Sequence, residues 1–392
     1  MKILPRLSFL LGLTAAALCF VATPQAHADD PVEVFKQGDG DYGIYRFPGI
    51  VRTKSGTLVV TAEGRKNPEM RWSETLPFLK VSKDGGKTWG DAVQIAEAPA
   101  DAKQNPILLE SGAAEDGVIG VHNVCPIADK DGGVHLIYTV EYNRAFYVKC
   151  DDNGENISDP VEITSTFDEF KSEVDWKLFT TGPSHGVQLE SGRLVVPVMV
   201  SIGDQGIGLQ SAATSTITSD DGGKTWKRGE IVAADFPLEG KIKTGTLVEM
   251  PGEAALAINS KGEVVINIRN KALKGLRAQA TSKDGATGWS EAVFVDGMLE
   301  PICQGSLVAA DAGLVFVNPA NMIMRKSLTA RLSTDGGATY ATKLVIDDGI
   351  AGYSDMAADG NTIHLVYERG ANPSQTDPEA IVVRSFSATD IK

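Results

Sequence analysis

Ser82-Lys83-Asp84-Gly85-Gly86-Lys87-Thr88-Trp89 decides the fold, because the chain repeats it. The same eight-residue pattern returns as Ser219-Asp220-Asp221-Gly222-Gly223-Lys224-Thr225-Trp226. Looser copies run from Ser282 to Trp289, with Ala286 for the second glycine, and from Ser333 to Tyr340. A degenerate copy lies at Cys150 to Ile157, around Asp152 and Gly154. The chemistry of the unit is structural. Asp accepts nearby backbone N–H groups, Gly tolerates φ > 0, and the terminal ring packs back on the turn. Turn chemistry accounts for these aspartates without a catalytic or calcium-binding role. Repetition at 51 to 69 residues is blade-scale spacing, not hairpin-scale spacing.

A second series runs out of phase with the first. Gly56, Gly133, Gly192, Gly262, Gly313 and Gly360 each open a short apolar run rich in Val, Ile and Leu. The runs have strand length, and no long stretch keeps a 3.6-residue apolar period. The chain reads as all-β, and six equivalent strands with Asp-type turns between them predict a six-bladed β-propeller. No linker or composition shift divides residues 29–392, so one domain is expected.

Residues 1–28 read as a secretory signal peptide. Lys2 and Arg6 precede an apolar run from Leu7 to Val21, and Ala26-His27-Ala28 ends in a small-x-small cleavage pattern. The run is too short to span a bilayer, so a secreted or periplasmic chain without membrane insertion is expected. Loss of Lys2 and Arg6 moves the formal charge from −14 to −16. That surface disfavours nucleic acid as a partner, though a few arginines can still make one basic hole. Cys125, Cys150 and Cys303 remain, an odd number that cannot complete a disulfide framework. Buried thiols are expected, with a Cys125–Cys150 pair left open. No metal-ligand spacing occurs, and neither a metal nor a cofactor is implied.

Charged residues stand just past the ends of these strands: Glu63-Gly64-Arg65, Glu141, Arg269 and Glu368-Arg369. Inner strands of a propeller converge on its axis, so such residues can share one pocket. Here the chain resembles the sialidases (neuraminidases). Tyr45-Arg46-Phe47-Pro48-Gly49-Ile50-Val51 is similar to their arginine-containing signature. Glu63-Gly64-Arg65, Thr181-Gly182-Pro183-Ser184-His185-Gly186 and Cys303-Gln304-Gly305-Ser306 are similar to further segments of that family. The likeness covers residues 40–370.

The resemblance implies an arginine triad at Arg46, Arg269 and Arg325, with Glu368 orienting the first and Arg65 as a further substrate-side arginine. Arginine binds carboxylate bidentately and keeps its charge, which suits a sugar bearing a carboxylate on its anomeric carbon. It further implies Tyr353 as nucleophile. An anionic nucleophile would be repelled by the sugar's own carboxylate, whereas a neutral phenol is not, and sialidases are the glycosidases that use Tyr. With an ordinary pKa of about 10, a phenol needs a base. Glu253 matches that role, although Gly252 stands where the family has Asn. The implied substrate is a sialylated glycan or other 2-keto-acid glycoside, and the implied protein is a monomer.

One position departs from the family. The aspartic acid that protonates the leaving group, often within D-I-D, falls on Glu74-Thr75-Leu76, at Leu76 itself. Glu69 and Glu74 are the carboxylates earlier in that loop, and Arg71 stands where an acid is also common. Three explanations are open: Glu74 or Glu69 replaces the acid, the substrate's leaving group needs little protonation, or turnover is very slow. Glu74 is taken as the candidate acid.

Two rival readings exist. Gly182-Pro183-Ser184-His185-Gly186 satisfies G-x-S-x-G, but strand-like sequence follows where a nucleophile elbow needs a helix. A non-enzymatic, glycan-binding propeller would need neither Tyr353 with Glu253 nor three separated arginines, and Leu76 is the residue in its favour.

Overall fold

The computed structural model describes residues 30–203, 211–236, 248–370 and 377–392; the expected signal peptide lies outside them. The described chain is all-β apart from brief helical segments such as Pro106–Glu110 and Thr164–Asp168. The strand pairs are antiparallel. One four-stranded sheet takes Ile44–Arg52, Leu58–Arg65, Thr75–Ser82 and Val93–Gln94. The next takes Val121–Ala128, Val134–Val140, Arg144–Cys150 and Val161–Glu162. A six-stranded sheet is built on Leu194–Ser201 and Ala212–Ser219, and a third four-stranded one runs from Gly252–Ile258 to Val293–Leu299. The fifth sheet has seven strands, six from Ser306–Ala310 to Ala380–Ser387 and the seventh Val32–Lys36. Val32–Lys36 pairs with Ala380–Ser387 and so ties the two ends of the described chain together.

The leading strands of successive sheets pack on one another around a closed ring. Ile44–Arg52 touches Val121–Ala128 on one side and Thr342–Asp359 on the other. Gly252–Ile258 touches both Leu194–Ser201 and Ser306–Ala310. Each interface is apolar, as a sheet buried on both faces requires. Val59, Val121, Val134 and Leu136 fill one, and Val195, Leu256, Val264 and Ile266 another. This is a propeller-type ring.

The Asp-type turns behave as their chemistry demands. Asp84 Oδ1 accepts N–H groups of Lys87 and Thr88, its Oδ2 accepts the Thr88 hydroxyl at 2.6 Å, and Trp89 Nε1 donates to Gly86 O. Gly86 sits at φ +91°, open to glycine and strained for other residues. Asp221 and Asp335 repeat the pattern. The degenerate copy slips by one residue. Asp151, rather than Asp152, accepts the N–H groups of Asn153 and Glu155.

Cys125, Cys150 and Cys303 are buried and unbridged, so the pairing left open by the sequence does not form. Strand Val187–Gln188, not a helix, follows Ser184, and the Ser184 hydroxyl donates to Asp355 at 3.0 Å. That environment does not make Ser184 a nucleophile elbow. Among the described residues no helix is long and apolar enough to cross a membrane.

Candidate functional site

Four leading strands break their ladders at one level. Register shifts fall between Arg46 and Gly49, His122 and Cys125, Gly252 and Ala255, and Ala351 and Ser354. Phe47, Asn123 and Glu253 take positive φ there, which is uncommon outside glycine. A bulge re-aims the side chains beside it. Here the bulges turn Arg46, Glu253 and Tyr353 out of the strand alternation and toward one another.

The Tyr353 hydroxyl lies 2.7 Å and 2.9 Å from the two oxygens of Glu253 and accepts Arg269 Nη1 at 2.7 Å. Arg269 also pairs with Glu253 directly. The guanidinium carbons of Arg325, Arg46 and Arg269 stand 5.1, 5.7 and 5.9 Å from the centre of the Tyr353 ring. Phe47 stacks on that ring at 4.8 Å, and Arg65 lies 4.8 Å over Phe47. Residues drawn from across more than three hundred positions therefore meet around one phenol.

Glu368, 1% exposed, is the anchor. It accepts Arg46 Nε at 2.8 Å, Phe47 N at 3.0 Å and Tyr353 N at 3.2 Å. One carboxylate thus sets the arginine and the backbone of the tyrosine together. Arg46 Nη1 makes a further pair with Asp377 at 3.2 Å. Glu63 holds Arg65 at 3.1 Å and accepts Asn123 N at 2.5 Å.

The electrostatics follow from burial and neighbours. Burial, reinforced by Glu253, raises the Tyr353 hydroxyl above the usual phenol value, against the lowering pull of Arg269 and Arg325. Burial alone would raise Glu253 as well. Arg269, the Tyr353 hydroxyl and Arg325 outweigh it and leave that carboxyl below its ordinary value. The pair is therefore a neutral phenol hydrogen-bonded to a carboxylate, with cations placed where negative charge on the phenol oxygen would develop.

Glu74 is not brought into this cluster. It pairs with Lys66 at 2.6 Å and is 39% exposed. The register places Thr75 opposite Arg65 and Leu76 opposite Gly64, so Glu74 and Leu76 lie on the face away from Arg65. Leu76 packs with apolar neighbours. Glu69 is exposed. The loop is pinned by Trp72, whose N–H donates to Ala113 O and whose carbonyl accepts Glu115 N. Two of the other strand-end charges also lie apart. Glu141 accepts the N–H groups of Asn105 and Gly120, and Arg369 faces Asp347.

Several residues of this network escaped sequence reasoning. Asp355, fully buried, accepts Ser184 Oγ, His185 Nδ1 at 2.8 Å and Ile50 N at 3.0 Å, and Gln304 Oε1 accepts Ser354 N. The segments 181–186 and 303–306 were visible as motifs. Their purpose, holding the strand that carries Tyr353, was not.

The BNR repeat-like domain family matches residues 56–365. A sialidase of Bacteroides fragilis is 27% identical over 369 residues, covering 86% of this chain and 62% of that protein. A sialidase of Micromonospora viridifaciens is 25% identical, covering 94% and 59%. The chain thus spans about three fifths of the length of these two relatives. Among solved structures, the Hadza microbial sialidase Hz136 superposes with a TM-score of 0.72 at 22% identity, covering 92% of this chain and 69% of that one. The intramolecular trans-sialidase of Ruminococcus gnavus gives 0.69 at 17%, covering 92% and 98%. The repeated Asp-type turns, the ring of sheets and these matches place the chain in the sialidase/BNR-repeat family, with a sialidase-like propeller fold.

Proposed function

We propose that the chain is a retaining exo-α-sialidase, or a hydrolase of a closely related 2-keto-acid glycoside. The observation that carries this reading is the Tyr353 hydroxyl within 2.7 and 2.9 Å of both Glu253 oxygens, beneath three arginines. A glycan-binding propeller has no need of that contact. Arg46, Arg269 and Arg325 would clamp the sugar's carboxylate. Tyr353 Oη would bond to the anomeric carbon as its proton passes to Glu253, and the bond to the aglycone oxygen would break with its electron pair. Water would then displace Tyr353, which recovers its proton from Glu253, and the proton that water loses to solvent balances the one the departed aglycone oxygen takes from solvent.

The proton donor for the aglycone is the open part. Glu74, the acid expected from sequence, faces Lys66 rather than the phenol. A substrate whose leaving group departs with little protonation fits this arrangement best. Loss of a general acid commonly lowers rate by about 10²–10⁴, so such a site remains active on activated substrates.

We read the seven-stranded sheet as two blades joined through the long strand Thr342–Asp359, which makes six. Its first part pairs with Lys326–Ser333 and its second with Thr362–Gly370, and a further apolar cluster spans both halves. Export through residues 1–28 and a monomeric state complete the proposal.

The test compares an aryl α-ketoside of N-acetylneuraminic acid with a sialyl-oligosaccharide. Rapid cleavage of the aryl substrate and slow cleavage of the oligosaccharide is the expected result. Equal kcat/KM values would mean that a replacement acid operates, and cleavage of neither would remove the activity.

A further inference from the structure

Arg46 has two carboxylate partners of very different character. Glu368 takes its Nε and Nη2, is 1% exposed, and is fixed by two backbone N–H groups besides. Asp377 takes Nη1 at 3.2 Å from a side chain that is 42% exposed. No second partner of the Asp377 carboxylate occurs among the described residues. Glu368 is built in, whereas Asp377 rests on the guanidinium from the solvent side. Asp377 also lines one crevice with Arg325, Gly352 and Glu368, so it shares the opening onto which a second clamp arginine faces.

We propose that Asp377 is an internal competitor for the carboxylate clamp and sets the affinity of the site for its acidic sugar. The inference rests on the functional reading above. A substrate carboxylate reaching Arg46 must either displace Asp377 or share one guanidinium with it. Displacement breaks an ion pair whose Asp377 side is open to solvent, and solvent weakens such a pair. Sharing sets two like charges close together in a partly desolvated site. Both routes weaken substrate binding without touching the phenol or its base, so the effect belongs in KM. The same contact gives Nη1 of this almost fully buried guanidinium, which Glu368 does not engage, a partner before substrate arrives.

Asp377→Asn keeps the shape and the carbonyl acceptor and removes the charge; Asp377→Glu keeps the charge. Steady-state kinetics on the aryl α-ketoside, with calorimetric titration of free N-acetylneuraminic acid, reads both. KM and the dissociation constant should fall by about 5- to 10-fold in Asp377→Asn, from loss of one like charge, with kcat moving much less. Asp377→Glu should stay near wild type, and raised salt should shrink the difference between wild type and Asp377→Asn. A KM that rises in Asp377→Asn would make Asp377 a positioning group for Arg46 and overturn the proposal, as would an unchanged one. Wild type and variant both inert toward the ketoside and blind to the free sugar would overturn the functional reading and this inference with it.

Discussion

Tyr353 and Glu253 lie one hundred positions apart in the chain, yet both oxygens of the carboxylate reach the phenol, at 2.7 and 2.9 Å. Each residue sits at a ladder break of a leading strand, and the two breaks face each other across the ring. In the proposed mechanism this contact joins the nucleophile to its base before any substrate is bound. Arg269 donates to the same hydroxyl, so negative charge developing on that oxygen in the proposed attack would meet a cation at once.

Removal of the phenol oxygen should abolish turnover while leaving the clamp in place. Tyr353→Phe is expected to lower kcat on the aryl ketoside by about 10³-fold or more, as for other nucleophile deletions. Titration with free N-acetylneuraminic acid should still show binding. Loss of binding together with turnover would mean that Tyr353 is a structural ring.

As the proposed base, Glu253 would have to be ionised to accept the phenol proton. Its carboxyl lies below the ordinary 4.5 because Arg269, Tyr353 and Arg325 outweigh burial. As pH falls through that depressed value the base is lost, so the acid limb of kcat/KM should lie below pH 4.5. Glu253→Gln should lower kcat by about 10²–10⁴ and remove that limb. An acid limb unaltered in the variant would assign it to another group.

Glu368 holds a buried cation and two backbone N–H groups. Glu368→Gln leaves Arg46 with only its exposed carboxylate, Asp377, and a broken buried ion pair commonly costs about 3–5 kcal/mol. Urea denaturation should show a loss of that order, with KM raised in the folded variant. A change within about 0.5 kcal/mol, the range of surface substitutions, would contradict the anchoring role.

His185 reports on the network beneath Tyr353. Burial disfavours its charge, but Asp355 more than compensates, and the imidazole is raised above its usual 6.5. A group raised on folding adds stability that is complete below its unfolded value and is lost as pH climbs through its folded value. Wild-type stability should therefore fall as pH rises above 6.5, and His185→Gln should flatten that part of the curve. Parallel curves for the two proteins, measured by thermal unfolding across pH 5 to about 9, would contradict the assignment.

The propeller was legible because its blades are written repeatedly: an Asp-Gly turn closed by an aromatic ring, and a glycine before each apolar strand. Those are local signals, and turn chemistry acts locally. The site residues were legible from motif segments, but their geometry was not. Bulges at Arg46, Glu253 and Tyr353 depend on pairing between strands, and no single strand shows where its ladder will slip. The same blindness affects Glu74, whose facing is set by its register with Arg65, and the shift from Asp152 to Asp151 in the degenerate turn. Asp377 lies nine positions beyond Glu368, and only folding brings both to one guanidinium.

The most direct test traps the sugar on the enzyme. A 2,3-difluoro derivative of N-acetylneuraminic acid has a leaving group that needs no acid, and its second fluorine slows release of the glycosyl-enzyme. Peptide mass spectrometry after brief incubation should find one sugar adduct, on the peptide containing Tyr353, and none in Tyr353→Phe. An adduct on another residue, or an active enzyme that is never labelled, would contradict the account.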